Sequence, residues 1–316
     1  MLTLNGITPV LAACFTEDES CDDESLCRQI DACISAGAAA VCGPAFGSEF
    51  YKLSDTERCH FIDVLIEHTR KRVPVIAVPN SGSIRSTIEM ARFAQSRGAD
   101  CLMVAAPRAV PLPVSSLIEY YDAVCAAVSV PIMLQDADWN GTGLPIDLFV
   151  VLAETHANFR FAKLETALPG TKCAAIASRT KEQVGVVYGF GGIAMLDGLA
   201  HGACAFMPGA ACVEVYARVY SLFKAGEKEE ATALFFRLLP YLSFALQHIE
   251  LIIQMDKRVL ERKGVISSSR MRRPTITLDS KYQEQIEDLV DSVVKLCEEI
   301  RQVSAVPVPE SSKRSF

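Results

Sequence analysis

Eight short apolar runs recur along this 316-residue chain, and between them lie stretches whose apolar residues return every three to four positions. The runs occupy residues 8–15, 39–43, 73–78, 101–105, 130–134, 159–164, 184–188 and 203–207; the amphipathic stretches include 22–37, 54–69, 84–98 and 115–128. Strands buried on both faces read as continuous hydrophobic runs, as those of parallel sheets do. Strand alternating with helix predicts a parallel sheet. Eight such units predict an α/β fold, a (β/α)8 TIM barrel rather than an open sheet. No Gly-x-Gly-x-x-Gly follows the first run, which counts against a dinucleotide-binding fold. Glycines at Gly37, Gly98 and Gly202 sit at three helix–strand joints, where they read as helix C-caps.

From Glu214 to about Arg301 the pattern is wholly helical, with apolar faces in 216–223, 231–246 and 282–300. That is more helix than a closing unit needs. The expected organisation is a barrel over 1–212, a closing helix with a C-terminal helical extension over 213–302, and a disordered tail over 303–316.

Half of the residues are hydrophobic and 22% are charged, enough for a large core. The 31 basic against 38 acidic residues give a net charge of −7, with no electrostatic footprint for nucleic acid or an anionic membrane. No apolar run approaches the roughly 20 residues that span a bilayer. The N-terminus shows no basic segment followed by an apolar stretch, so no secretory signal is expected. The 12 cysteines form no Cys-x-x-Cys pair and mostly lie in apolar runs. They read as reduced, buried thiols in a cytoplasmic protein.

In a barrel the chemistry belongs at the C-terminal ends of the strands. Lys163 lies within Phe159-Arg160-Phe161-Ala162-Lys163-Leu164-Glu165, and alternation puts Phe161, Lys163 and Glu165 on one face. A lysine inside an apolar strand is costly unless paired or deprotonated, and desolvation makes it a candidate amine nucleophile. The alternative is a lysine merely paired with Glu165 or Glu49. Gln135 ends the fifth run and can hydrogen-bond a ligand but cannot titrate. Gly47-Ser48-Glu49 follows the second run, where small residues let backbone N–H groups approach an anion. Arg108, past the fourth run, could pair a carboxylate. Gly189, opening Gly189-Phe190-Gly191-Gly192, and Met207, ending the eighth run, complete the substrate-binding candidates. No histidine pair has ligand spacing, so neither metal nor cofactor is expected.

In order and spacing, several stretches resemble the dihydrodipicolinate synthase / N-acetylneuraminate lyase family. They are Gly6-Ile7-Thr8-Pro9-Val10, Gly47-Ser48-Glu49-Phe50-Tyr51-Lys52-Leu53-Ser54, Pro74-Val75-Ile76-Ala77, Ala162-Lys163-Leu164-Glu165 and Gly202-Ala203, continued by Pro240-Tyr241-Leu242, Lys257 and Arg272-Arg273-Pro274. The resemblance implies a barrel with a helical extension, a homo-oligomer (dimer or tetramer), and Lys163 as an imine-forming lysine. The chain departs from the family's synthases in three places. Phe46-Gly47 stands where they carry a Thr-Thr or Ser-Thr pair, Gln135 replaces a proton-relaying tyrosine, and an aromatic pair is lost around Pro107-Arg108. Around Gln135, Gly141-Thr142-Gly143 and Lys163-Leu164-Glu165-Thr166 it is instead similar to the L-2-keto-3-deoxyarabonate dehydratase-like branch. The implied partner is a small keto acid, and the implied reaction is dehydration of a 2-keto-3-deoxy sugar acid. Glu49 and Glu165 are the candidate proton carriers. The alternatives are a pyruvate-dependent aldolase, of 4-hydroxy-2-oxoglutarate or dihydrodipicolinate synthase type, and a non-catalytic barrel that binds a keto acid.

Overall fold

The computed structural model describes residues 2–107, 110–139 and 141–305. Eight parallel strands alternate with helices: β1 Gly6–Ile7, α1 Asp23–Ser35, β2 Val41–Gly43, α2 Asp55–Thr69, β3 Val75–Ala77, α3 Ile84–Arg97, β4 Cys101–Ala105, α4 Val114–Ala127, β5 Ile132–Asp138, α5 Ile146–Thr155, β6 Phe159–Thr166, α6 Pro169–Arg179, β7 Gly185–Tyr188, α7 Met195–Ala200 and β8 Ala205–Phe206. The sheet runs β1-β8-β7-β6-β5-β4-β3-β2. Parallel bridges Ile7–Ala38 and Val10–Cys42 join its two edges and close the barrel. The hydrogen bonds there are Ala39 N to Ile7 O (2.7 Å) and Leu11 N to Cys42 O (2.9 Å).

Local sequence sets the helix ends. Asp22 caps α1 by accepting from Ser25 N at 3.0 Å. Ser54 and Glu57 form a reciprocal capping box on α2. Gly98 ends α3 at φ +102°, a conformation that side chains disfavour.

The inner faces of the strands fill the barrel with small and medium residues, among them Cys42, Ile76, Met103, Met133, Phe161 and Val187. The twelve cysteines are free thiols. Burial pushes those of Cys33 and Cys42 up to about 12, so these two are packing groups rather than nucleophiles.

Two strand expectations are corrected. The run 8–15 is not the first strand: β1 is Gly6–Ile7, ahead of it, the run itself carries only isolated bridges at Val10 and Phe15, and Leu11 to Phe15 are apolar because they are buried beneath α1. There Gln29 accepts from Ala12 N (2.7 Å) and donates to Ala12 O (3.2 Å). In the other direction, β5 continues to Asp138 and β6 to Thr166, past the ends of their apolar runs. Among the added residues Gln135 and Glu165 are polar and line the cavity at the barrel mouth, and a hydrophobic run cannot report them.

The rest of the described chain is helical: α8 Val213–Lys224, α9 Lys228–Ala245, α10 Ile249–Arg262 and α11 Ser280–Ala305. α8 packs on β1, and α9 and α11 pack on α8. α10 reaches the short 3-10 turn Phe46–Ser48 that follows β2. α11 continues through Ala305, beyond the expected start of the tail, and 306–316 lie outside the described residues. Among the described residues, no helix is long and apolar enough to cross a membrane.

Candidate active site

Lys163 stands on β6 directly across from Gln135 on β5, and both are 2% exposed. Alternation along β6 sends Phe161, Lys163 and Glu165 inward. Phe161 joins the barrel core, while Lys163 and Glu165 line a cavity of about 300 Å³ at the C-terminal mouth. The cost of burying the amine is offset by the neighbouring carboxylate: Lys163 Nζ lies 3.2 Å from Glu165 Oε1. Glu165 also accepts from Gln135 Nε2 (2.7 Å) and from Phe190 N (2.8 Å). Burial pushes its carboxyl up, but Lys163, the Phe190 N–H and the Gln135 amide outweigh that and hold it below the usual carboxylate range. Gln135 Oε1 is buried without a hydrogen-bond partner among the described residues, leaving an acceptor at the site unsatisfied.

Gly189, at the end of β7, packs against this pair. A Cβ there would stand 2.4 Å from Lys163 Cε and 2.3 Å from Glu165 Oε1. Gly47 and Met207 line the same cavity. The structure therefore brings together Lys163, Gln135, Glu165, Gly47, Gly189 and Met207.

It does not bring Ser48 and Glu49 to that cavity. The Ser48 hydroxyl accepts from Ala45 N (2.9 Å) and donates to Leu11 O, and the Ser48 N–H is bonded to Ala45 O. Both are used in holding the turn. Glu49 is fully buried and faces away from the cavity. It pairs with Lys257 and with Lys52 (3.0 Å), and accepts from Arg272 N (3.2 Å). Three donors thus enclose this carboxylate and tie the turn to α10 and to Arg272. Arg108 lies outside the described residues.

Several cavity residues were not anticipated. Trp139, Phe46 and Phe190 form an aromatic wall: Trp139 stacks on Phe190 (centroids 6.4 Å, 16° between planes) and meets Phe46 edge-on at 5.7 Å. Trp139 is the chain's single tryptophan, just after the fifth run, and that placement was the one available signal. His248, Ile252, Ile253 and Asp256 reach the cavity from the helical extension. Their spacing shows an amphipathic helix but not what it covers. Asp136, next to Gln135, turns outward to Lys172, which also donates to Thr142 O (2.8 Å) and Leu144 O (2.6 Å).

The Dihydrodipicolinate synthetase family model matches residues 3–293. An L-2-keto-3-deoxyarabonate dehydratase of Azospirillum brasilense is 28% identical over 273 residues, 85% of this chain and 88% of that protein. A putative 2-dehydro-3-deoxy-D-gluconate aldolase, YagE, of Escherichia coli K12 is 32% identical over 154 residues, 48% of this chain and 51% of that protein. The crystal structure of YagE in complex with pyruvate superposes with a TM-score of 0.81 at 23% identity, covering 93% of this chain and 99% of that one. With a barrel, a buried lysine at its mouth and a family match along nearly the whole length, this chain belongs to the dihydrodipicolinate synthetase family and is an enzyme of its lyase class.

Proposed function

We propose that this enzyme forms an imine between Lys163 and a 2-keto acid, and that its reaction is the dehydration of a 2-keto-3-deoxy sugar acid. The observation that carries the reading is the Lys163–Glu165–Gln135 cluster, an amine and a carboxylate 3.2 Å apart with an amide where a relay hydroxyl would be needed for aldol cleavage. The substrate carboxylate sits against the Gly47 backbone. Glu165 takes a proton from the Lys163 ammonium, the amine attacks C2, and the same proton returns to the C2 hydroxyl, which leaves as water and gives a protonated imine that acts as an electron sink. Glu165, kept ionised, takes a proton from C3 to give the enamine. It then returns that proton to the departing C4 hydroxyl. Water leaves, and a C3=C4 double bond remains conjugated to the iminium. Hydrolysis at C2 releases the product and the free amine. Gln135 Oε1 holds a substrate hydroxyl or water and carries no proton.

Aldol cleavage would start from the same iminium, the C4 hydroxyl losing its proton as C3–C4 breaks to leave an aldehyde and the enamine of pyruvate, and the partial likeness to a putative aldolase makes it the second reading. The test is borohydride trapping with pyruvate, followed by product analysis with 2-keto-3-deoxy acids. Labelling at Lys163 and loss of water without pyruvate release are expected. Labelling elsewhere, or faster pyruvate release than dehydration, overturns the assignment, and no labelling with any keto acid leaves a simple binder. A homo-oligomer fits the exposed apolar side chains Val110, Leu112 and Val114, and light scattering tests it.

A further inference from the structure

The cavity has a second polar pole that the lysine chemistry does not use. Lys163 and Asp256 line this one cavity together, with Phe190, Gly191, Leu246, Ile252 and Ile253 among its other walls. Asp256 Oδ1 accepts a hydrogen bond from the Tyr241 hydroxyl at 2.7 Å. Among the described residues no hydrogen bond reaches Oδ2. That oxygen lies against Gly209, two residues past Met207 at the barrel mouth. A Cβ at residue 209 would stand only 1.8 Å from it, so glycine there makes room for the carboxyl.

The surroundings offer this group little else. Facing it are Tyr241 of α9, Tyr216 of α8, the Cys212 thiol that precedes α8, with Cys297 of α11 behind it, and Lys263 just past α10. Tyr216 donates its hydroxyl to Gly191 O (2.6 Å), and Lys263 is committed to Glu214 (2.8 Å) and Ala211 O (2.7 Å). Burial pushes the Asp256 carboxyl up to about 7, against the pull of Tyr241 and Lys263. An acceptor left open in an apolar end of a catalytic cavity is costly until a donor arrives, and a site built this way rejects ligands that lack the donor.

We propose that Asp256 recognises the far end of the substrate: with the keto carbon held at Lys163, Asp256 Oδ2 accepts a hydrogen bond from a distal hydroxyl of the same molecule. The site thus takes hydroxylated 2-keto acids in preference to bare-chain ones of equal length. This rests on the imine reading above and deepens it, since it assigns the substrate class to a residue of the helical extension.

The test compares three probes: pyruvate, 2-oxopentanoate and 4,5-dihydroxy-2-oxopentanoate. For each, the concentration giving half-maximal borohydride labelling of Lys163 is measured in the full chain and in Asp256→Asn. The wild type should favour the dihydroxy acid over 2-oxopentanoate by at least tenfold, and Asp256→Asn should reduce that preference about tenfold with pyruvate labelling unchanged. The unmodified protein gives an independent reading. Hydroxyl donors favour the ionised carboxyl, so the preference should strengthen as pH rises through about 7, with 2-oxopentanoate cancelling the pH dependence of imine formation itself. A wild type indifferent to the hydroxyls, a preference flat with pH, or an Asp256→Asn variant that keeps the preference overturns the inference. So does a variant that loses labelling with all three acids alike, which marks a structural role. Absence of wild-type labelling with all three brings down the imine reading, and the Asp256 inference falls with it.

Discussion

Glu165 Oε1 lies 3.2 Å from Lys163 Nζ, two residues along the same strand and on the same face. The pair places the amine proposed to form the imine and a carboxylate able to move its protons in one geometry. Two further donors, Gln135 Nε2 and Phe190 N, fix the carboxylate so that it cannot swing away.

Replacing that carboxylate separates bonding from proton transfer. Glu165→Gln should lower kcat for dehydration by about 10²–10⁴, the usual worth of a positioned acid–base group, while borohydride still labels Lys163. Gln135→Ala should cost far less, about 0.5–1.5 kcal/mol for one orienting hydrogen bond. Steady-state kinetics with mass-spectrometric mapping check both. A Glu165→Gln variant with unchanged kcat would assign the proton to another group.

Gly189 tests how closely the site is packed. Gly189→Ala drives a methyl group into Lys163 Cε and Glu165 Oε1. Because the atoms it meets belong to the proposed reacting groups, a displacement near 1 Å should lower kcat/KM about 100-fold. Circular dichroism should show the fold retained. Kinetics equal to wild type would mean that the lysine adjusts without cost.

The Glu49–Lys257 pair joins the loop after β2 to α10, with both side chains fully buried. Burial pushes the Lys257 ammonium below its ordinary range, against the opposing pull of Glu49, so the two charges depend on each other. Lys257→Met should leave the buried Glu49 with Lys52, which Glu250 shares, as its counter-charge and destabilise the protein by about 3 kcal/mol, the lower end for breaking a buried pair. The double variant Glu49→Gln/Lys257→Met should recover part of that loss. Urea unfolding of the two singles and the double measures the coupling, and strictly additive losses would show that the pair is not one unit.

Glu57 gives a pH signature away from the site. Its hydrogen bond to Arg272 (2.7 and 2.9 Å) lowers its carboxyl from 4.5 to about 2 in the folded protein. A depressed folded value stabilises the protein above the unfolded value, and this contribution is lost as pH falls through the folded one. The stability gap between wild type and Glu57→Gln should therefore be full above about pH 5 and close as pH falls from 4.5 towards 2. Urea midpoints at pH 7, 4 and 3 follow it. A gap that widens on acidification would contradict the assignment of the ion pair.

What could be read from the sequence was whatever depends on near neighbours. Continuous apolar runs separated by amphipathic stretches specified β2 to β8 and the helices between them, because burial on both faces leaves only apolar residues along a strand. Lys163 stood out for the same reason, as a charge inside such a run, and alternation placed Glu165 beside it. The ends of β5 and β6 were missed because residues facing the mouth are polar, as loop residues are.

The partners of Glu49 and the reach of Asp256 were decided only in three dimensions. Lys257 lies 208 positions from Glu49, and nothing local to either residue names the other. Ser48-Glu49 looked like a ligand loop in sequence, and the fold spent both side chains on holding that loop against its neighbours. Asp256 is one polar position on an amphipathic helix until α10 packs over the barrel mouth and Gly209 opens a space for its carboxyl. Periodicity records which face of an element is buried; what that face meets is set by the packing of elements far apart along the chain.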